Sequence, residues 1–358
     1  MVFFILILLI LIFNRAEFAP QNRFTQGYMA KDKTTSIKGI FVALILLSHG
    51  SQYMALGGAY DEPYIALQSH LGQMVVAMFL FYSGYGMMER IKRTGYKYVK
   101  SIVTKRFPNV LLNFDIAIVL YLILGLFLGK SFDLKTILLS FIGWESVGNS
   151  NWYMFAIFVL YLLTFAAFFG TKWTNRKYFK ALCVGFLTVL TGAMILIEMK
   201  LGLPSYWYNT LILFVMGFYY SCLEKYINRF LLKNDTTYFL TLLLSVGAYV
   251  VFYTIKDRYG IVSYTLWALA FTAFVIVLTM KVSVNNAVLN WMGQHVFSIY
   301  ILQRIPMSIL NHIGLAASHK YIFLILSIAA TLFMAQVFDS YTAKLSGLIW
   351  KKRRSEEK

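Results

Sequence analysis

The stretch SIKGIFVALILLSHGSQY, Ser36 to Tyr53, is an apolar run of near membrane-spanning length, interrupted by one cation, Lys38, and one imidazole, His49. On a helix, the eleven residues between them amount to three turns and a small remainder, so the two side chains share a face about 16 Å apart along the axis. Ser48 adjoins that face, and Gln52 extends it by one turn. A Lys at a membrane helix entrance commonly snorkels, and a lone intramembrane His commonly bonds a neighbouring helix. An ionisable pair on one helix face is also the default mark of a functional site, and the rest of the chain favours that reading.

Of the 358 residues, 59% are hydrophobic and 18% aromatic, and the mean hydropathy is +0.66. Soluble domains run near 45–50% apolar, so this composition implies an all-α polytopic membrane helical bundle. The net charge of +18 does not point to nucleic acid, because no long soluble basic segment exists to bind it and membrane topology explains the cations. Cys183 and Cys222 both lie in apolar runs and read as small core residues, with no disulfide and no metal site expected.

Working outward from Ser36, residues 1–35 read as a short apolar anchor (Met1 to Phe13) followed by a basic connector. Residues 36–343 form the main transmembrane domain, and residues 344–358 a basic tail. About ten core spans are expected, near 37–56, 70–88, 109–129, 152–170, 180–198, 206–222, 236–255, 262–280, 288–311 and 321–341. A shorter apolar piece, Thr136 to Trp144, is too short to span. Most Lys and Arg residues fall in alternate connections: the 14–38 connector, the 89–108 loop, 171–180, 223–235 and the tail. By the positive-inside rule both ends of the ten-helix core then face the cytoplasm of a cell-membrane protein, with Asp61, Glu62 and Glu145 outside. No internal repeat and no matching pair of broken spans marks a secondary transporter.

Four stretches carry candidate chemistry. The second core span ends in FYSGYGMMERIKR, where Ser83, Gly84 and Gly86 permit close approach of a helix or a ligand. The basic loop that follows, Arg90 to Arg106, sets topology and also suits the phosphates of a nucleotide-like cofactor. Arg90, Arg93 and Arg106 are its preferred members, because a guanidinium binds phosphate bidentately. No Walker-type or dinucleotide-binding glycine loop accompanies them. Asn149, Asn151, Trp152 and Tyr153 form a polar and aromatic entrance that fits either an interfacial belt or a sugar contact. Finally, NWMGQHVFSIYILQRIPMSILNH carries Gln294, His295, Ser298, Gln303 and Arg304 before a kinking Pro306, and Arg304 must face a polar cavity or a partner. Asp115 and Asp339 read as ion-pair or cap residues.

Taken together these segments resemble the acyltransferase-3 family of integral-membrane O-acyltransferases over roughly residues 34 to 341. IKGIFVALILLSHG resembles the first-span signature of a basic residue, then ten residues, then a His, and FLFYSGYGMMERIKR the Ser-Gly-Tyr second span. TKRFPNVLLNF, NWYMFAIFVLYLL and LNWMGQHVFSIYILQRIPM resemble the Arg-aromatic-Pro, Trp-led and Gly-led segments. Two positions depart: Lys38 stands where the family usually has Arg, and Gln303 where it often has His.

The resemblance implies transfer of an acyl group, commonly acetyl from acetyl-CoA, to a hydroxyl of a surface carbohydrate such as a capsular or exopolysaccharide. No permanently bound cofactor is expected; acyl-CoA, the polysaccharide or a lipid-linked sugar, and membrane lipid are the partners. On this reading His49 is the general base and Lys38 holds the donor or stabilises oxyanion charge. Arg90, Arg93, Arg106 and Ser83 would meet the CoA portion, and Trp152, Tyr153, Arg304 and Gln52 the acceptor. A flippase or transporter of lipid-linked oligosaccharide also needs polar residues within many spans, and a polysaccharide polymerase is the other alternative. Neither gives a reason for the Lys38 to His49 spacing.

Overall fold

The computed structural model describes residues 1–174 and 176–356, with side chains as far as residue 347, so the cations of the expected tail from Lys351 onward lie outside the described side chains. Helix takes 77% of the chain, and the two strands have three residues each. The helices are α1 (Val2–Phe13), α2 (Lys31–Ser51), α3 (Glu62–Leu71), α4 (Met74–Thr94), α5 (Tyr96–Ser101), α6 (Phe107–Phe127), α7 (Leu134–Ser140), α8 (Trp152–Phe168) and α9 (Lys177–Lys200). They continue with α10 (Ile212–Leu231), α11 (Asp235–Ile255), α12 (Ile261–Thr279), α13 (Ala287–Gln294), α14 (Val296–Leu302), α15 (Arg304–His312), α16 (Leu315–Ser318) and α17 (Lys320–Glu356).

Among the described residues, seven helical stretches are long and apolar enough to cross a membrane, or eight if the bent pair α3 and α4 is one span. The sequence led us to expect ten, and the difference has local causes. The span expected near 206–222 is α10, which starts later and takes in Glu224, Lys225 and Arg229. The one expected over 288–311 is three short helices, broken at His295 and Gln303. The second break falls at Gln303 rather than at Pro306, because a proline ring clashes with the carbonyl four residues back, here Leu302. Beside that break the Tyr121 hydroxyl donates to the Ile301 carbonyl at 2.9 Å.

The 89–108 segment expected as a loop is helical almost throughout. Gly95, at φ +58°, turns the chain between α4 and α5, and a π-helical turn over Ile102–Arg106 leads into α6. Within the connector, β1 (Ala16–Phe18) pairs antiparallel with β2 (Val282–Val284), a contact across 260-odd residues that no local pattern announces.

The centre of the bundle is α2. It has the lowest hydropathy of the seven candidate spans, 1.2, and the largest buried share, 67%. Its polar atoms are therefore covered by protein rather than lipid, whereas α11, 11% buried, presents Leu243 and Leu244 to the surroundings. Two glycine crossings set the packing. A Cβ on Gly39 would come 1.9 Å from the Leu289 carbonyl oxygen and one on Gly293 1.8 Å from that of Thr35, so α2 and α13 touch backbone to backbone. Gly84 against Phe214 and Gly217 against Phe81, at 1.9 and 2.2 Å to the carbonyl oxygens, lock α4 to α10 in the same way.

Candidate active site

The span expected over 37–56 runs instead from Lys31 to Ser51, which puts Lys38 two turns inside α2 and His49 in its last turn. The two side chains keep the shared face that the helical period requires, and each sits in its own group of neighbours.

At the Lys38 end, the Lys38 ammonium lies 5.4 Å from the centroid of the Tyr82 ring. Arg106, in the π-helical turn, points into the bundle: its guanidinium is 4.7 Å from the Tyr161 ring, and Nη1 donates to the Tyr98 hydroxyl at 2.7 Å. Lys38 and Arg106 are close enough to repel. Among the described residues neither is in an ion pair with a carboxylate. Two half-buried cations with only tyrosines for company form a place prepared for an anion.

At the other end, His49 lies 6.2 Å from Tyr300 ring to ring, and Tyr300 in turn meets Tyr153 at 5.5 Å. His49 Nδ1 is buried with no hydrogen-bond partner, and so is Oε1 of fully buried Gln303. The Gln303 side chain nevertheless reaches the imidazole, so the two groups face each other across less than ideal geometry. Arg304 completes the group. Its Nε donates to Ser150 Oγ at 2.8 Å and its Nη2 to Gln52 Oε1 at 2.6 Å, while Nη1 stands 3.5 Å from the Tyr53 hydroxyl. Tyr153, which meets Tyr300 at the His49 end, and Tyr161, which meets Arg106 at the Lys38 end, both belong to α8, so one helix serves both groups.

The structure thus brings together Lys38 with Arg106, and His49 with Gln52, Tyr153 and Arg304. Ser83 follows Tyr82 on α4 and is half-buried, about 100° around the helix from it. Arg90 and Arg93 are exposed on the last two turns of α4, outside that group. The Trp152 ring packs 5.9 Å from Tyr206 rather than against Tyr300. Asp339 hydrogen-bonds both His295 and Ser298, tying α17 to the start of α14, and Asp115 is half-buried with Oδ1 unpartnered. Sequence reasoning missed Tyr82, Tyr98, Tyr161, Tyr300 and Ser150. The four tyrosines were signalled only by an aromatic content of 18%, and Ser150 by nothing.

An all-helical membrane bundle that buries an imidazole and two cations without carboxylate partners holds a polar site inside its apolar interior. The acyltransferase-3 family, an acyltransferase domain, matches residues 35–338, and the chain belongs to that family of membrane acyltransferases. No curated protein and no solved structure matches it.

Proposed function

We propose that this chain is a cell-membrane O-acyltransferase that moves an acetyl group from acetyl-CoA to a hydroxyl of a cell-surface carbohydrate, such as a capsular or exopolysaccharide. The supporting observation is the single face of α2, which carries both Lys38, paired with Arg106 as an anion-ready site, and His49, a buried imidazole whose Nδ1 has no partner, in a tyrosine-rich interior. In this reading the Lys38 end is cytoplasmic, where the many cations of the α4 to α6 region also lie.

The chemistry follows from what each group can do. His49 takes the proton of the acceptor hydroxyl as its oxygen attacks the thioester carbonyl, help that is typically worth ~10² to 10⁴ in rate. The tetrahedral oxyanion then collapses, the C–S bond breaks, and the departing thiolate takes up the proton from His49. Lys38 is about 16 Å along the helix from His49, too far to touch that oxyanion, so its role is to hold the donor's anionic portion. Arg304, beside His49, is the cation placed to orient the acceptor and to stabilise charge at the reacting centre.

The test is transfer of labelled acetyl from acetyl-CoA into polysaccharide or lipid-linked sugar by membranes containing wild type, His49→Ala or Lys38→Ala at matched protein levels. Transfer by wild type, lost with His49→Ala and reduced with Lys38→Ala, is the expected result. Full transfer by His49→Ala removes the assigned base, and no transfer by wild type to any glycan removes the proposed activity.

A further inference from the structure

At the His49 end, a cavity of about 390 Å³ opens between α15, the end of α6 and the loop before α8. That is about the lower size of a small-molecule site. Its wall includes Arg304, Lys130, His312, Asn149, Ser308 and Tyr53, and no Asp or Glu lines it. Two carboxylates belong to the same stretch of chain. Asp133 stands exposed at the N-cap position of α7, and Glu145 is half-buried beside the lining residue Ser146.

Two donors in this wall are poorly matched by the chain's own acceptors, Arg304 and Asn149. Arg304 spends its good hydrogen bonds on Ser150 and Gln52, both neutral, and its Nη1 has only the 3.5 Å contact with Tyr53. Asn149 is 7% exposed. Its Oδ1 accepts from the Val147 N–H at 3.1 Å and from Ser146 Oγ at 3.4 Å, which fixes the amide orientation. Its Nδ2 is then a buried donor with no partner. Lys130 is exposed at the rim, and among the described residues it makes no ion pair. A buried amide donor without an acceptor costs free energy until a ligand supplies an oxygen, and a guanidinium bonded only to neutral groups keeps its charge for an anion.

We infer that this cavity binds the acceptor through a negative charge, so that the acyl group goes to an anionic glycan, one whose sugar carries a carboxylate or a phosphate. This rests on the acyltransferase reading and deepens it. A carboxylate or phosphate seated on Arg304 Nη1 and Asn149 Nδ2, with Lys130 and His312 around it, holds the sugar within about one helical turn of His49, because Arg304 also bonds Gln52 at the end of α2.

The test uses the full chain in lipid nanodiscs with labelled acetyl-CoA and three acceptors. These are an oligosaccharide of alternating glucuronic acid and N-acetylglucosamine, the same oligosaccharide with its carboxyls reduced to alcohols, and a phosphate-bearing oligosaccharide. We expect an apparent KM at least about tenfold lower for a charged acceptor than for the reduced one, a difference that shrinks with salt and collapses in Lys130→Glu. Whichever charged acceptor has the lower KM identifies carboxylate or phosphate as the recognised group. Equal KM values for charged and reduced acceptors overturn the inference. If wild type acylates none of the three, the acyltransferase reading fails instead. Charge recognition is then read from thermal stabilisation of the protein by the charged against the reduced oligosaccharide, where equal shifts overturn it.

Discussion

Arg304 Nη2 donates to Gln52 Oε1 at 2.6 Å, fastening α15 to the end of α2 within one turn of His49. Because the same guanidinium also holds Ser150 before α8, three elements far apart in sequence meet at one cation. The imidazole is therefore fixed against a positive charge that has no carboxylate to cancel it, an arrangement suited to receiving anionic or developing negative charge.

Replacing Arg304 by Lys tests that junction. An ammonium cannot serve Ser150, Gln52 and Tyr53 in one plane, so at least one of these bonds is lost. A hydrogen bond to a charged group is worth about 1.5–3 kcal/mol, which corresponds to a fall of about 10- to 100-fold in kcat/KM. Acyl-transfer kinetics of Arg304→Lys beside its thermal unfolding separate the cases, and we expect the rate to fall far more than the melting temperature.

The crossing of α4 and α10 gives a stability prediction. A Cβ at Gly84 meets the Phe214 carbonyl at 1.9 Å, and backbone cannot swing aside as a side chain can. Gly84→Ala should cost at least about 1–3 kcal/mol through displaced packing. Two residues on, Gly86 has nothing within 4 Å of an added Cβ, so Gly86→Ala should be neutral or gain up to about 1 kcal/mol from helix propensity. Thermal unfolding of the two variants in detergent compares them directly.

The spans and the Lys38 to His49 face were legible because apolar length and helical period are local properties of the chain. What the sequence hid is pairwise. Nothing near Tyr161 announces Arg106, and nothing near Asn149 announces the cavity it shares with Arg304, because these partners come from different helices. The breaks at His295 and Gln303 were missed for a related reason. An apolar run containing Pro306 reads as one kinked span, whereas Asp339 of α17 holds both His295 and Ser298 at the first break.

Asp61, fully buried between α2 and α3, yields a pH prediction. Burial alone would push its carboxyl up, yet the Lys320 ammonium at 2.5 Å and the Gly57 N–H at 3.0 Å hold it well below the usual carboxylate range. A depressed native pKa contributes stability that is complete above the unfolded value, about 3.9, and is lost as pH falls through the native one. Wild type should therefore lose melting temperature progressively below about pH 4. Asp61→Asn should start about 2–3 kcal/mol less stable at neutral pH and show a flatter acid limb. Parallel acid limbs for the two proteins would remove Asp61 from this role.

The last prediction concerns donor binding at Lys38 and Arg106. Both cations sit among tyrosines without a carboxylate, so the anion they await must come from outside the chain, and the attraction is electrostatic. Lys38→Gln should raise the apparent KM for acetyl-CoA by about tenfold, since one partly desolvated charge contact is lost. Lys38→Arg should retain most of the affinity, because charge is kept and the guanidinium can still lie over Tyr82. Arg106→Lys should be the more damaging exchange of the two, because it gives up both the bond to the Tyr98 hydroxyl and the stacking on Tyr161. Steady-state kinetics at varied acetyl-CoA, with the acceptor held saturating, distinguish this assignment from a role at the reacting bond. A loss confined to KM for the donor supports donor holding, and an equal fall in kcat would place these cations at the transition state instead.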